Sequence, residues 1–393
     1  MDGKAHLSTD DIKKYNRLIV LQYVYRSFSD GTSQSKVAKL TGLSEPSVFR
    51  SFMALEKAGL ITAKIEKKEV SKIKGRKPTL YTLNQNAYYA ITFEVTRHLL
   101  HLSLFNFRQE ILYSIEQELS DEQLNADSVT KLIIELTNSV LEKYNIEKEK
   151  FIGVAVACPG TIDTLKGIVL RYERIEGMKD YPLADKIHKA LDCTVIVRNN
   201  AAAHTYYEQT YNNAYEGSMF VVSLRHGISG AFCENRKLLR DSKGYSIDIG
   251  HLAVAPTGPK CTCGENACLE AFLLNMNGEY DENLLMNLDK LLTTDLALLD
   301  KITTEIVKYL LVLLKNIDRM VNPDSYLILA KSSEVAEIIK NKILKHSEKK
   351  IPRYKSDVGK PVYSAAYNIE NGQRALSEMI LYEFFKEFHK NME

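Results

Sequence analysis

Residues 251–270 read HLAVAPTGPKCTCGENACLE, and this stretch points to the fold of the whole chain. Cys261 and Cys263 are separated by one residue, Cys268 follows five positions later, and His251 precedes the first cysteine by ten residues. Thiolates and imidazole are ligands that Zn2+ prefers, and four protein ligands complete its tetrahedron. A closed site leaves no position for an activated water, so the spacing predicts a structural zinc site. Free thiols on a loop are the alternative.

The composition is that of an ordinary globular protein, with 45% hydrophobic and 26% charged residues in 393. The N-terminal MDGKAHLSTDDIKK lacks the apolar run of a signal peptide, and no segment approaches the roughly 18 uncharged apolar residues that cross a bilayer. We therefore expect a cytoplasmic protein without a membrane partner. In that compartment, clustered cysteines favour metal binding over disulfides.

The charge is divided unevenly along the chain. Residues 1–85 contain 16 Lys and Arg against 8 Asp and Glu, whereas the remainder contains 36 against 42. A basic N-terminal part on an acidic body indicates a polyanionic partner for the first part only. A solvated basic face is the alternative.

A helix-turn-helix pattern occupies the basic part. SQSKVAKLTGLSEPSVFRSFMALEKAGLI spans residues 33–61, and Gly42 makes the turn between two short helices that Ser33 and Ser44 can cap. A preceding helix over residues 11–27 has apolar side chains at helical spacing. These are Ile12, Tyr15, Ile19, Tyr23 and Val24. Two strands around a charged hairpin follow, which together predict a wing.

The second of the two short helices would enter the major groove of DNA with its exposed N-terminal face. Val48, Phe52 and Leu55 form its buried stripe, and the wing hairpin would reach phosphates or the minor groove. The predicted DNA contacts are Pro46, Ser47, Phe49, Arg50, Lys74, Arg76 and Lys77. A three-helix protein-interaction module is the alternative.

Strands alternate with helices from residue 86 onward, which predicts an α/β architecture. YYAITFEVTRHLLHLSLFNF at residues 88–107 is typical of a β-hairpin, and FIGVAVACPG at 151–160 of a buried strand that ends in a turn. TVIVRNNAAAHTYYEQ at 194–209 predicts a strand followed by a helix.

Together these segments resemble the ROK family (repressors, open reading frames, kinases), in its repressor branch with an N-terminal winged helix. The most specific match is the family's G-H followed by C-x-C-G-x-x-G-C-L-E, from which only Ala267 departs, where the family has Gly. GVAVACPGTIDTLKGIVL at residues 153–170 is similar to the family's G-V-A-x-P-G-x-V-D segment. The resemblance implies an α/β protein in which a winged helix-turn-helix precedes two actin-like, ribonuclease H-like lobes.

The resemblance also implies three domains. A winged helix-turn-helix would span residues 11–85. The first lobe would combine 86–198 with 372–393, and the second would span 199–371 with its zinc loop at 251–270. The body would form a homodimer, or a tetramer of such dimers, that sets the spacing of two DNA half-sites.

Ligand positions of the family fall on identifiable residues here. The resemblance places zinc on His251, Cys261, Cys263 and Cys268. It places a sugar on Gly160, Asn199, Asn200, Asp248, His251 and Glu270. Asp248 is one methylene shorter than the family's Glu, and Glu270 is equally suited to a helix-start carboxylate that the helix dipole favours.

The same resemblance argues against catalysis. The base of the family's kinases is the Asp of N-D-A-N, and Asn200 stands at that position, where an amide cannot accept the proton. The D-x-G-G-T phosphate motif corresponds to residues 94–98, without either glycine, and bulky side chains there would block the approach of phosphate. The later G-T-G-I-G-G turn is partly retained at residues 225–230.

We therefore predict a sugar-responsive transcriptional regulator, a repressor, that binds double-stranded operator DNA and is not an enzyme. Its body would sense a sugar or sugar derivative without phosphorylating it. The alternatives are an active ATP-dependent sugar kinase with a DNA-binding domain, and a ligand-independent DNA-binding protein.

Overall fold

The structure is a computed structural model, and it describes residues 8–27, 30–64, 78–172, 174–212, 215, 217–276, 280–347 and 360–391. The predicted wing contacts Lys74, Arg76 and Lys77 lie outside the described residues. Within the described part of the chain, no helix is both long and apolar enough to cross a membrane.

The N-terminal part contains the helices α1 (Thr9–Arg26), α2 (Gln34–Thr41) and α3 (Glu45–Lys57), followed by the antiparallel strands β1 (Ile61–Ala63) and β2 (Tyr81–Leu83). Ser33 begins α2 by accepting a hydrogen bond from the backbone N–H of Lys36. Gly42 ends α2 with φ of 70°, a left-handed conformation that favours glycine. Ser44 stands at the N-cap of α3 without a capping side-chain hydrogen bond.

The predicted stripe of α3 is buried, since Val48, Phe52 and Leu55 are fully enclosed. The predicted stripe of α1 is wrong at its start, because Ile12 and Tyr15 are 47% and 55% exposed. Only the C-terminal half of α1 joins the core, through the buried residues Val20, Leu21, Val24 and Tyr25.

The body begins with a first set of elements. They are β3 (Tyr89–Val95), β4 (Leu99–Asn106), β5 (Ile111–Glu118), α4 (Ala126–Lys143), β6 (Phe151–Cys158), β7 (Thr161–Asp163), β8 (Ile168–Arg171), β9 (Lys179–Tyr181), α5 (Leu183–Leu191), β10 (Thr194–Asn199) and α6 (Asn200–Tyr211), with 3-10 turns at Asp121–Gln123 and Lys148–Lys150.

A second set of elements follows. They are β11 (Met219–Leu224), β12 (Ile228–Glu234), β13 (Lys237–Leu238), α7 (Leu269–Leu274), α8 (Leu284–Thr294), α9 (Leu296–Met320), β14 (Ser325–Ala330), α10 (Ser333–Ser347), β15 (Val362–Ala366) and α11 (Ile369–Asn391).

The first set builds a mixed sheet in the order β10-β6-β3-β4-β5, in which β10, β6 and β3 are parallel. Its second strand, β6, is buried along its whole length because both faces are covered. Val154 and Val156 pack with residues of α4 and α5, whereas Ala155 and Ala157 pack with α6 and α11. The small side chains on the second face let two helices approach the sheet closely.

The second set builds a sheet in the order β13-β12-β11-β14-β15, and a separate small sheet has the order β7-β8-β9. The helix α9 covers the second sheet with a long buried stripe that includes Ile306, Leu310 and Leu313. After β15 the chain returns to the first sheet, where α11 packs against β3 and β6. The limits of the two lobes remain a prediction.

Replacing Phe52 by Ala should destabilise the helix-turn-helix selectively, by about 3–5 kcal/mol, because the side chain is fully enclosed. Phe49→Ala on the same helix is the matched control, because Phe49 is 52% exposed. Hydrogen exchange of the α3 amides in the intact chain measures the effect. Phe52→Ala should accelerate exchange about 100-fold and Phe49→Ala should leave it nearly unchanged. Equal exchange in the two variants would contradict the packing described for α3.

Candidate ligand cleft and metal centre

A cavity of about 450 Å3 lies between the two sheets of the body. Turns after β6 and β11, the start of α6 and the loop before α7 form its walls. The cavity brings together all six predicted sugar residues, Gly160, Asn199, Asn200, Asp248, His251 and Glu270. Its volume is in the ordinary range for small-molecule sites.

The two asparagines of the cleft have different roles. Asn199 is the N-cap of α6, where its Oδ1 accepts from the N–H of Ala201 at 2.9 Å and its Nδ2 donates to the carbonyl of Gly160 at 2.7 Å. Asn200 donates its Nδ2 to the carbonyl of Val95 at 3.1 Å. Asn200 lines the cleft, and its buried Oδ1 has no hydrogen-bond partner among the described residues.

Asp248 connects the two sides of the cleft. Thr161 donates its hydroxyl to Oδ2 of Asp248 at 2.9 Å, and the backbone N–H of His251 lies 3.4 Å from Oδ1. Thr161 belongs to β7, which follows the first sheet, whereas Asp248 follows the second. The shorter carboxylate is therefore held by protein donors rather than directed freely into the cleft.

Glu270 lies in the first turn of α7 and is held by an ion pair. Its Oε1 is 3.4 Å from Nη2 of Arg174, and its Oε2 accepts from the N–H of Ile228 at 3.3 Å. Gly227 leaves room for this carboxylate, because a Cβ added there would collide with Oε2. Arg174 also donates to the hydroxyl of Tyr280 at 2.7 Å.

Sequence reasoning missed Arg174 and Tyr280, because no local spacing relates either residue to Glu270. Arg174 also donates to the carbonyl of His226. Burial, together with the charges of Arg225 and Arg174, lowers the pKa of His226 to about 4. The imidazole of His226 is therefore neutral at physiological pH, and it adds a polar group to the wall of the cleft.

A second cluster lies beside the cleft and contains His251, Cys261, Cys263 and Cys268, whose ligand atoms all lie within 4.8 Å of one another. Nδ1 of His251 is 3.4 Å from Sγ of Cys261, and Sγ of Cys263 is 3.6 Å from Sγ of Cys268. With ordinary zinc–ligand bond lengths, the edges of a tetrahedron are roughly 3.5–3.8 Å long. The two distances given are close to such an edge, and the four predicted ligands lie near enough to one another to hold a metal ion. The cysteines are free thiols.

The loop that carries the cysteines is tightly folded. Cys261 donates its N–H to the carbonyl of Glu265 at 2.8 Å, and Arg171 donates to the carbonyl of Cys263. Ala267 has φ of 62°, a left-handed conformation in which the family's Gly is unstrained and an alanine is not. Burial raises the pKa of the Cys261 thiol, which favours its protonated form. A bound cation would stabilise the thiolate instead.

A buried ion pair closes the floor of the cleft, and sequence reasoning missed it as well. Glu94, at 1% exposure, accepts from Nη1 of Arg225 at 3.0 Å and from the hydroxyl of Tyr367 at 2.6 Å. The guanidinium of Arg225 lies 3.6 Å above the ring of Tyr367. Nε2 of His204 lies 3.9 Å from the other carboxylate oxygen. We call these four residues the interlobe clasp.

The clasp keeps its carboxylate ionised. Burial alone would raise the pKa of Glu94, but the nearby imidazole of His204, the charge of Arg225 and the hydroxyl of Tyr367 outweigh it and lower that pKa. Glu94 and Arg225 begin the two segments in which the family resemblance predicts phosphate motifs. A second ion pair, between Arg97 and Glu282, also lines the cleft. Two ion pairs of opposite charges therefore lie in or beside this part of the cleft.

The sequence pattern described as ROK family matches residues 94–294, half of the chain. The chain belongs to the ROK family. Its sequence is similar to that of the xylose repressor of Bacillus spizizenii, at 25% identity over 263 residues that cover 66% of each protein. The match thus spans just under two thirds of that repressor's length.

The fold of this ROK protein is similar to that of a ROK family transcriptional regulator described as a homolog of the E. coli Mlc protein. The TM-score is 0.73 at 18% identity, and 96% of this chain and 99% of that chain are covered. It is also similar to a ROK family glucokinase from Streptomyces griseus in complex with glucose and AMPPNP. That match has a TM-score of 0.59 at 16% identity and covers 74% of this chain and 98% of that chain. These likenesses confirm the predicted family and the α/β fold.

Replacing Arg225 by Met should lower the stability of the body by about 3–5 kcal/mol, because it leaves the carboxylate of Glu94 buried without a cation. Removing both charges, in Arg225→Met with Glu94→Gln, should restore much of the loss. Lys148→Met is the control, because Lys148 pairs with Asp192 at the surface, where solvent screens the charges, and should leave the stability nearly unchanged. Thermal unfolding midpoints of the variants measure the differences. A double variant less stable than Arg225→Met alone would contradict the clasp.

Proposed function

We propose that this ROK protein is a sugar-responsive transcriptional repressor whose body binds a sugar or sugar derivative without phosphorylating it. The observation that carries the proposal is the buried Oδ1 of Asn200, without a partner among the described residues, in a cleft that also contains Asp248, His251 and Glu270. A ligand hydroxyl is the complementary donor, and leaving a buried acceptor unpaired costs about 1–3 kcal/mol. Binding of a polyhydroxylated ligand would remove that cost.

The non-catalytic role is supported by two features of the cleft. Phosphoryl transfer to a hydroxyl needs a base, and Asn200 offers an amide that cannot accept a proton. Backbone turns that cradle phosphates need room, whereas Glu94 and Arg225 are joined in a buried pair at the corresponding positions. A second candidate, an active sugar kinase, has the shared fold of the solved glucokinase in its favour.

DNA binding is supported by the exposed face of α3. Pro46, Phe49 and Arg50 are exposed, and Ser47 is half-buried, while the opposite face of the helix forms the core. A helix held on one side and open at its N-terminal end has the arrangement with which recognition helices enter the major groove. Charge adds to this, because residues 1–85 carry twice as many Lys and Arg as Asp and Glu.

A structural zinc ion fits the Cys3His cluster. When bound, it would hold Cys261, Cys263 and Cys268 as thiolates and close the loop that precedes α7. Nδ1 of His251 faces the cluster, so Nε2 of the same ring is free to face the cleft. Through His251 the metal centre would orient one wall of the ligand site.

The same proposal includes a cytoplasmic homodimer, or a tetramer of such dimers, on a two-part operator. A ligand that binds one arrangement of the lobes better than the other would shift the spacing of the two winged helices. A gel-shift panel of hexoses, pentoses and their derivatives, run on duplexes that the purified chain selects, tests the whole proposal. No change in DNA affinity with any carbohydrate would reject sensing, and ATP-dependent phosphorylation of any sugar would establish the kinase.

Arg50→Ala should weaken specific DNA binding about 10- to 100-fold, because an arginine fork contributes about 1–3 kcal/mol of base discrimination. Fluorescence anisotropy with a duplex selected by the full chain measures the affinity at several salt concentrations. Lys131→Ala, an exposed cation on α4, is the control and should leave the affinity unchanged. Equal losses in both variants would indicate a nonspecific charge effect and would contradict the role of α3.

Cys263→Ser should lose zinc. It should also remove the effect of the ligand on DNA affinity, while DNA binding itself is retained. The reason is that the cluster lies in the body, whereas α3 belongs to the N-terminal part. Metal content, DNA affinity and the ligand-induced change in that affinity are measured together. Cys193→Ser, at a thiol outside the cluster, should retain zinc and the response. A variant that has lost zinc but keeps its ligand response would refute an orienting role for the metal.

A further inference from the structure

A second cavity, of about 580 Å3, lies between the N-terminal part and the body, and we call it the junction cavity. Its walls come from α1, α6, α11 and the hairpin of β12 and β13. It adjoins the ligand cleft, because Asn199 and Ile247 line both cavities. None of the described residues that are predicted to bind DNA or zinc lines it.

The charge of the junction cavity is strongly positive. Among the residues that the structure describes, two acidic side chains line it, Glu378 and Glu383. The basic side chains that line it are Arg26, Arg198, Arg236, Lys237, Arg240 and Lys386. Glu383 pairs with Lys386 at 2.9 Å, and Glu378 accepts from the hydroxyl of Tyr211 at 2.6 Å. Within the described residues, Arg198, Arg236, Lys237 and Arg240 have no carboxylate within ion-pair distance.

Arg198 is the central cation. Its Nη1 donates to the carbonyls of Thr164 at 3.1 Å and Val197 at 2.9 Å, which fix the guanidinium without neutralising it. Burial, and the neighbouring charge of Arg240, lower the pKa of Arg198, against the opposite influence of Glu383. An enclosed guanidinium that has no carboxylate within ion-pair distance among the described residues is unfavourable, and an anion in the cavity would compensate it.

The remaining walls define the size and character of that anion. Tyr206, Leu238 and Phe385 contribute ring and aliphatic surface next to the basic side chains. Guanidinium groups bind phosphate through paired, planar hydrogen bonds, which a carbon skeleton resting on apolar walls would complement. The volume exceeds what a bare phosphate ion would fill. We propose that the junction cavity is a second ligand site, which binds a small phosphorylated molecule.

The position of the site gives its ligand a route to the N-terminal part. Tyr25 of α1 lines the cavity and interacts electrostatically with Tyr211 of α6, which in turn donates to Glu378 of α11. A ligand that draws Arg26 of α1 and Arg198 of the body to one phosphate would tie the two parts together. The effect on DNA affinity rests on the proposed function, whereas binding itself does not.

Calorimetry with the full chain tests the site, with glucose 6-phosphate, fructose 1,6-bisphosphate and inorganic phosphate as probes and the unphosphorylated sugars for comparison at matched ionic strength. At least one sugar phosphate should bind more tightly than inorganic phosphate. Arg240→Gln with Lys237→Gln should weaken this binding about tenfold or more, because both side chains are exposed and charged toward the cavity. Lys131→Gln with Lys189→Gln, at exposed positions of the first lobe, should not.

A cleft variant separates the two sites. Asn200→Leu should impair binding of an unphosphorylated sugar and leave the sugar phosphate affinity within about twofold, since Asn200 does not line the junction cavity. Sugar phosphate binding that Asn200→Leu abolishes and the double Gln variant retains would place the ligand in the cleft and overturn the proposal. Absence of binding by both sugar phosphates, or equal affinity for inorganic phosphate, would overturn it as well. Because no measurement involves DNA, a failure of DNA binding leaves this test unaffected.

Discussion

The buried contact between Glu94 and Arg225 sets the relation of the two lobes. Glu94 lies near the end of β3 in the first sheet, whereas Arg225 follows β11 in the second. A carboxylate with 1% exposure is costly unless a cation reaches it, and here the cation comes from the opposite lobe. Tyr367 adds a hydroxyl to the same oxygen from the segment after β15. Separation of the lobes would therefore strand a charge, which limits how far the cleft can open.

The N-terminal part is joined to the body through a common hydrophobic core. Val20 and Leu21 of α1 belong to the same buried cluster as Ala375 and Phe385 of α11 and Ala155 of β6. The ring of Tyr25 packs edge-on against Phe385, with 6.1 Å between the centroids. Because α11 also covers the first sheet, these contacts could transmit a shift of the lobes to the helices that are expected to contact DNA.

Local features could be predicted from the sequence, and contacts between distant segments could not. The spacing of His251 and the three cysteines predicted the Cys3His cluster, because all four residues lie within twenty positions of one another. Gly42 and the stripe of Val48, Phe52 and Leu55 likewise reflect one turn and one helix. Arg174 and Glu270, by contrast, are 96 positions apart and Glu94 and Arg225 are 131 apart, so only the folded sheets bring them together. The predicted burial at the start of α1 was wrong, because periodicity identifies the apolar face of a helix but not how much of that face other elements cover.

Asn199 illustrates how little material separates the two cavities. Its side chain spans from the N-terminus of α6 to the turn at Gly160, and it forms part of both walls. Ligands that share a partition cannot be independent if either one moves it. Thermodynamic linkage then requires that each changes the affinity of the other by the same factor. With both proposed sites occupied, the DNA affinity of the chain would depend jointly on two ligands, one neutral and one anionic.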